Sequence, residues 1–262
     1  MPIGLGVSLG IGGGKPATSS GAPPASGFAN AYSLSFDGTH SGTTGDYLTC
    51  GTSNELDISG GGSLFMWLKA TTTASSGDYE EPFYRRSGSS GWQIGSSKVG
   101  SVRKFWVYST STSSMITGTP GSWQLLGVTF SSGTLNLYTN DGTAGTGGAT
   151  VTDTGFTINA YSGGEFIIGK HGASTTRFYT GLVDEVSFFD SALSASDVVT
   201  IYNGGSPGDL TSLNPVGWWR MGDSNPASAG SAVSTITDLG SGGNNATQST
   251  AAQQPVISTD VP

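Results

Sequence analysis

The 262-residue chain carries six Trp, nine Tyr and eleven Phe, and 35% of its residues are hydrophobic, enough to build one large core. Only 11% are charged and 43 are Gly, so its wet surface is built of hydroxyls and turns rather than the Glu and Lys that exposed helix faces use, which favours strands. A net charge of −8 with ten scattered Lys and Arg excludes a nucleic-acid surface, and one cysteine, Cys50, with two histidines, His40 and His171, excludes an intrachain disulfide and a Cys/His metal cluster.

Residues 4–14 read GLGVSLGIGGG, and KPATSSGAPPASG follows. Gly and Pro deny this stretch a helix, and it is too poor in bulk to fold alone. Residues 1–27 are therefore a free tail or an extended arm laid on a neighbour. The second reading is adopted: Ile3, Leu5, Val7, Leu9 and Ile11 enter shallow pockets on other subunits while the glycines let the backbones approach. It implies assembly contacts and a homo-oligomer. The start lacks the basic region of a secretory signal peptide, and no stretch approaches the ~20 apolar residues that cross a membrane.

From Phe28 the pattern alternates. Tyr32, Leu34 and Phe36 stand two apart, Asp37-Gly38 turns, and Tyr47-Leu48 resumes. Further strands are expected at 64–69, 82–85, 92–94, 102–108, 123–130, 134–138, 165–169 and 182–189, separated by turns such as SGSSG, TPGS and TNDGT. One helix is expected, short and at the edge of the strands. Ser194 and Asp197 match a capping box, Val198, Ile201 and Tyr202 form a stripe, and Gly204 ends it. SPGDLTSLNP then reads as a linker before GWWRM and the GSGGNNATQS run.

The stretch YSLSFDGTHSGTTGDYL (32–48) resembles the opening hairpin of laminin-G-like jelly rolls. FYTGLVDEVSFFDSALSASDVVTIYN (178–203) resembles their closing signature: Gly, two residues, Asp-Glu-Val, an aromatic strand, ALSA and a short helix ending in Tyr-Asn. Between them, SLFMWLKAT and SWQLLGVTF fall where the family has strands with inward Trp. The resemblance covers 28–205. It implies an all-β, two-sheet antiparallel jelly-roll sandwich of the laminin-G/concanavalin type, with one short helix and an extended N-terminal arm. In residues 206–262, GWWRMGDS…ITDLGSGGNNAT resembles an element that usually precedes the jelly roll. Here it either closes the same sandwich or is exchanged with a neighbour. By composition the arrangement also resembles tailed-phage structural proteins, which implies a decoration or fibre subunit at the virion surface.

Glucanases of this architecture carry E-x-D-x-(x)-E along one strand, aiming two carboxylates at one bond. Of the five glutamates here, Glu55, Glu80, Glu81, Glu165 and Glu185, Glu55 alone has an Asp two residues on, Asp57, and no second Glu follows to complete the pattern. The chain is therefore read as non-enzymatic, with glycoside hydrolysis a remote alternative. Two G-x-S-x-G stretches, 6–10 and 204–208, lie in the arm and the linker and are chance matches. If Val186 and Phe188 face the core, a period of two puts Leu182 and Asp184 there too. The resemblance implies Ca²⁺ held near Asp37 and Asp184, approaching each other at the sandwich edge. The alternative is that both cap turns. For a surface glycan, bound in a virion or by a free-standing lectin-like module, the candidates are Trp92, Trp106 and Tyr108, each of which is otherwise a core residue. Trp218 and Trp219 point opposite ways on a strand, so one is expected exposed or at an interface.

Overall fold

Alternating and continuous apolar runs become strands in a computed structural model that describes residues 28–38, 45–71, 79–99, 102–110, 116–140, 144–172, 174, 176–225 and 228–262. The arm residues Ile3, Leu5, Val7, Leu9 and Ile11 lie outside the described residues, as does His40. In chain order the strands are β1 (Ser33–Phe36), β2 (Leu48–Thr49), β3 (Gly62–Ala70), β4 (Tyr79–Ser87), β5 (Ser90–Val99) and β6 (Val102–Tyr108). Then come β7 (Ile116–Gly118), β8 (Gln124–Ser131), β9 (Thr134–Thr139), β10 (Val151–Thr154), β11 (Ile167–Ile168) and β12 (Gly181–Phe189). After helix α1 (Ala195–Tyr202) follow β13 (Gly217–Trp219), β14 (Thr235–Ile236), β15 (Ala246–Thr247) and β16 (Val256–Ser258).

They form two antiparallel sheets. Sheet A runs β10-β9-β8-β3-β12-β1-β16, with β13 also paired to β12; sheet B runs β14-β15-β2-β11-β4-β5-β6-β7. The main core lies between them, with Phe36, Phe83, Trp92, Phe166, Phe188 and Trp219 among its bulk.

The two sheets differ on their outer faces. The central strand β3 is GSLFMWLKA and is buried on both sides, as a near-continuous apolar run must be. Its inward Leu64, Met66 and Leu68 join the core, while Phe65 and Trp67 face outward into a second cluster. That cluster is roofed by α1, which brings Val198 and Ile201, and by Leu210 and Trp218. Burying each of these aliphatic chains is worth about 1.5–3 kcal/mol. By contrast β6, VRKFWVY, alternates half-buried and buried along its length. Arg103, Phe105 and Val107 point in; Lys104, Trp106 and Tyr108 point out. Sheet A is covered on both faces, and sheet B leaves its outer face to solvent.

The helix forms on the expected capping box. The Ser194 hydroxyl accepts from the Asp197 N–H, and the Asp197 carboxylate accepts from the Ser194 N–H. It ends at Asn203 in the left-handed region, one residue before Gly204. It lies across the outer face of sheet A rather than at the edge, because Val198 and Ile201 require the surface offered by Phe65, Trp67, Leu125 and Tyr138.

The C-terminal segment is woven into the same sandwich: β13 pairs with β12, β16 with β1, and β14 and β15 extend sheet B beside β2. Trp218 and Trp219 do point opposite ways, but both are buried, 5% and 0% exposed. Trp219 enters the main core, and Trp218 stacks on Phe28 with ring centres 6.2 Å apart. The expectation of an exposed or interfacial tryptophan failed because Phe28 supplies the cover.

Candidate functional site

The open face of sheet B carries a transverse register row. Thr235 pairs with Thr247, Thr247 with Thr49, Thr49 with Ile167, Ile167 with Tyr84, Tyr84 with Gln93, and Gln93 with Tyr108. Paired residues share a face, so these seven form one line across seven strands, roughly 29 Å long at ~4.8 Å per strand spacing. Three depressions follow the line. The first holds Gln93, Trp106 and Tyr108, the second Tyr84, Tyr161 and Ile167, and the third Thr49, Thr235 and Thr247. Arg86 borders both the first and the second, and Glu165 both the second and the third. They make a continuous trough.

The first depression, about 230 Å³, has the richest chemistry. Gly95 allows its floor: a Cβ there would sit 2.6 Å from the Trp106 indole, so only glycine lets that ring lie down over β5. Tyr79 stands edge-on to Trp106, with ring centres 5.8 Å apart and planes at 83°. The Arg86 guanidinium lies 4.4 Å from the centre of the Tyr108 ring, and Arg177 lies 5.4 Å from that of Tyr79. Behind the rings, the Gln93 amide donates to Glu81 Oε1 at 3.0 Å. Arg177 Nη1 is 3.9 Å from the same carboxyl oxygen. His171 packs against Tyr84 with ring centres 4.4 Å apart.

A β-bulge places Glu81 here. Glu80 pairs with Ser96 and Phe83 with Ile94, so β4 has one residue more than β5 between those pairs. Glu80 thereby turns inward to the buried Arg103, at 2.7 Å, while Glu81 lines the depression. Burial pushes the Glu81 carboxyl up to about 8, against the pull of Arg177, the Gln93 amide and Arg86. Burial first, then Arg177 and Arg86, pushes His171 down to about 4. At neutral pH both groups are therefore uncharged. Four buried polar atoms here have no hydrogen-bond partner: Glu81 Oε2, Gln93 Oε1, Arg86 Nε and His171 Nδ1. Buried polar atoms rarely stay unpaired, and these four gather around one depression and its rim.

Of the residues singled out in the sequence, Trp106 and Tyr108 meet on this face. Trp92 does not. It is 0% exposed and packs on Phe83 at 4.4 Å in the main core, because β5 turns Trp92, Ile94 and Ser96 inward and Gln93 and Gly95 outward. Tyr79, Glu81, Arg86, Gln93, His171 and Arg177 were missed. Alternation along β6 marks Trp106 and Tyr108, but nothing local announces the bulge or the approach of His171 and Arg177 from beyond β11.

Asp37 and Asp184 are not brought together. Phe36 pairs with Gly181, so Asp37 and Asp184 stand four residues apart along the strand pair, about 13 Å, too far for one ion whose ligands lie within ~2.6 Å. The shared calcium site is thus corrected. The period-two argument for Asp184 fails at another bulge. β12 carries one residue more than β3 between the Asp184–Trp67 and Ser187–Phe65 pairs, with Glu185 at φ 45°. Val183 and Val186 both face the core in consequence, and Asp184 turns outward beneath the cover of sheet A. It accepts from Asn30 Nδ2 at 2.9 Å, and burial raises its pKa well above the ordinary carboxylate value. Glu185 accepts from Trp218 Nε1 at 2.7 Å and Arg220 Nε at 2.9 Å. This cluster ties residues 28–30 and the C-terminal segment to β12. Asp37 is exposed, and its backbone N–H donates to Asp46 Oδ2 at 2.8 Å. Among the described residues no group of three or more His, Cys, Asp or Glu is placed to hold a metal.

Among curated proteins none matches the chain. Of solved structures, a native heptameric SAP-like pentraxin from Limulus polyphemus is similar at 15% identity and TM-score 0.51, over 66% of this chain and 82% of that one. Domain 4 of AbnA, an arabinanase from Geobacillus stearothermophilus in complex with arabinotriose, is 16% identical with a TM-score of 0.43, over 63% of this chain and 79% of that one. A botulinum neurotoxin serotype D binding domain is 13% identical with a TM-score of 0.43, over 69% of this chain and 48% of that one. The pentraxin likeness supports the sandwich fold. Residues 41–199, more than half of the chain, match the laminin-G-type family described as the concanavalin A-like lectin/glucanases superfamily, and the chain belongs to that family.

Proposed function

We propose that this protein is a non-enzymatic carbohydrate-binding module that takes a linear oligosaccharide along the trough of sheet B. The observation that carries the reading is the floor of Trp106, Tyr79 and Tyr108 set beside unpaired polar atoms of Glu81, Gln93 and His171. A sugar ring has an apolar C–H face, which an aromatic ring covers, and a rim of hydroxyls that both donate and accept. The trough offers both surfaces to the same ligand. Its length favours a chain over a single ring. The family's description joins lectins and glucanases, and the binding side is favoured by the carboxylates present. Among the described residues lining the first depression Glu81 is the one carboxylate, whereas paired-acid hydrolysis needs two at roughly 5–9.5 Å.

The test is a glycan array followed by calorimetry on the strongest responders. The wild type should bind an oligosaccharide that Trp106→Ala no longer retains, with unchanged circular dichroism. Equal binding by the two proteins, or no binding by the wild type, refutes the reading.

The module's place in a larger assembly rests on the sequence of residues 1–27. We propose that the arm holds it on other subunits, as in a virion decoration or fibre protein. Many weak sites displayed together would then bind a surface glycan firmly. Removing residues 1–27 should leave a domain with the wild-type melting temperature that no longer assembles. Normal assembly by the truncated protein refutes this.

A further inference from the structure

Resting on that carbohydrate reading, we infer that the Trp106 end of the trough is selective for a sugar bearing a carboxylate, held between Arg86 and Arg177. The chain as a whole is acidic, at −8 with only ten Lys and Arg, yet two of those ten border one depression of about 230 Å³. Each is positioned by an aromatic ring rather than by a neutralising partner. Arg86 lies over Tyr108, and no carboxylate among the described residues is within ion-pair distance of it. Arg177 lies over Tyr79, and its only described acidic neighbour, Glu81, is at the outer limit of an ion pair, 3.9 Å.

The surrounding groups leave that positive charge standing. Glu81 keeps its proton up to about pH 8, and His171, protonated only below about pH 4, is neutral at pH 7. Gln93 and Trp106, also on this wall, have no ionisable group, and burial pushes the neighbouring Tyr84 phenol above its ordinary value. Guanidinium groups stacked on rings keep their in-plane N–H donors free, and a planar carboxylate matches that fork in a way that a hydroxyl does not. At the other end of the trough Thr49, Thr235, Thr247 and Glu165 offer hydroxyls and an acidic side chain, with no Lys or Arg among the described residues there, so the two ends of the trough differ in character. An acidic residue in the ligand is thereby directed to one end.

The experiment uses the full chain and matched probes: oligogalacturonate against its methyl ester, and sialyllactose against lactose, with a sulfated lactose as a further arm. At pH 7 and low salt, at least one carboxylate-bearing probe should bind about tenfold or more tighter than its neutral partner. That preference should shrink with added NaCl and vanish in Arg177→Gln, whose site is half-exposed and whose fold can be checked by melting. Equal affinity within each pair overturns the inference and leaves the carbohydrate reading standing. Preference for the sulfated probe overturns the carboxylate assignment. Binding of no probe of either kind, when other glycans on an array are bound, also overturns it. If nothing on the array binds either, the carbohydrate reading itself falls.

Discussion

Replacing Glu81 by Gln should remove a pH-dependent penalty from the fold. Its carboxyl lies behind the aromatic floor, 1% exposed, and burial moves its pKa from 4.5 to about 8. Below pH 4.5 the group is protonated whether the chain is folded or not, and its stabilising share is fully present. Between 4.5 and 8 the unfolded chain ionises while the native state keeps the proton, so stability is lost as pH rises, and above 8 the loss levels off. At about 1.36 kcal/mol per unit the full shift corresponds to a ceiling of about 5 kcal/mol. Relaxation and water entry reduce this to on the order of 2–4 kcal/mol. Gln93 can still donate to an amide oxygen at position 81, so Glu81→Gln keeps the contact without the ionisation. Urea unfolding at pH 5 and pH 8 isolates the effect. Asp46, raised to about 6, and Glu185, raised to about 7, titrate in both proteins and cancel in the difference. The two proteins should agree within about 1 kcal/mol at pH 5, and the variant should be the more stable by about 2–4 kcal/mol at pH 8. A difference that does not change between pH 5 and pH 8 refutes the reasoning.

Three further outcomes are expected. Trp92→Ala should lose about 3–5 kcal/mol in chemical denaturation, as an emptied core site, whereas Trp106→Ala should lose less than about 1 kcal/mol. Glu185→Ala should cost about 3 kcal/mol by the same assay, since it leaves the Trp218 indole N–H and Arg220 Nε without their acceptor beneath the cover of sheet A. Gly95→Val should lift the Trp106 ring off β5 and weaken oligosaccharide binding about tenfold or more in calorimetry, while the fluorescence melting temperature shifts by only a few degrees.

What the sequence made legible follows what local pattern can encode. The long alternating or apolar strands, the capping box at Ser194 and the two ends of the jelly roll all rest on residues close together in the chain. Short edge strands such as β7 and β10 were not seen, for three or four residues such as ITG and VTDT look like a loop. The errors at Asp184 and Trp92 both concern which face of a strand a residue takes. At Asp184 the β-bulge in β12 shifts the parity within the strand, whereas Trp92 sits on a regular alternation in β5 whose inward face no neighbouring residue announces. At Asp184 a left-handed residue, Glu185, inverts the faces where the neighbour of β12 changes from β1 to β13. The candidate site was legible at Trp106 and Tyr108, which sit on a regular alternation. Its polar wall was not, since Glu81 depends on a bulge and His171 and Arg177 arrive from a segment some 90 residues downstream.

A saccharide lying on the outer face of sheet B would be reported directly by the six indole N–H groups. In a ¹⁵N-correlated titration with the bound oligosaccharide, the Trp106 indole signal should move progressively. Those of Trp92, Trp67 and Trp219, all 2% exposed or less, should stay in place. Saturating binding that leaves Trp106 unmoved while Trp123 or backbone signals of sheet A shift would contradict the account.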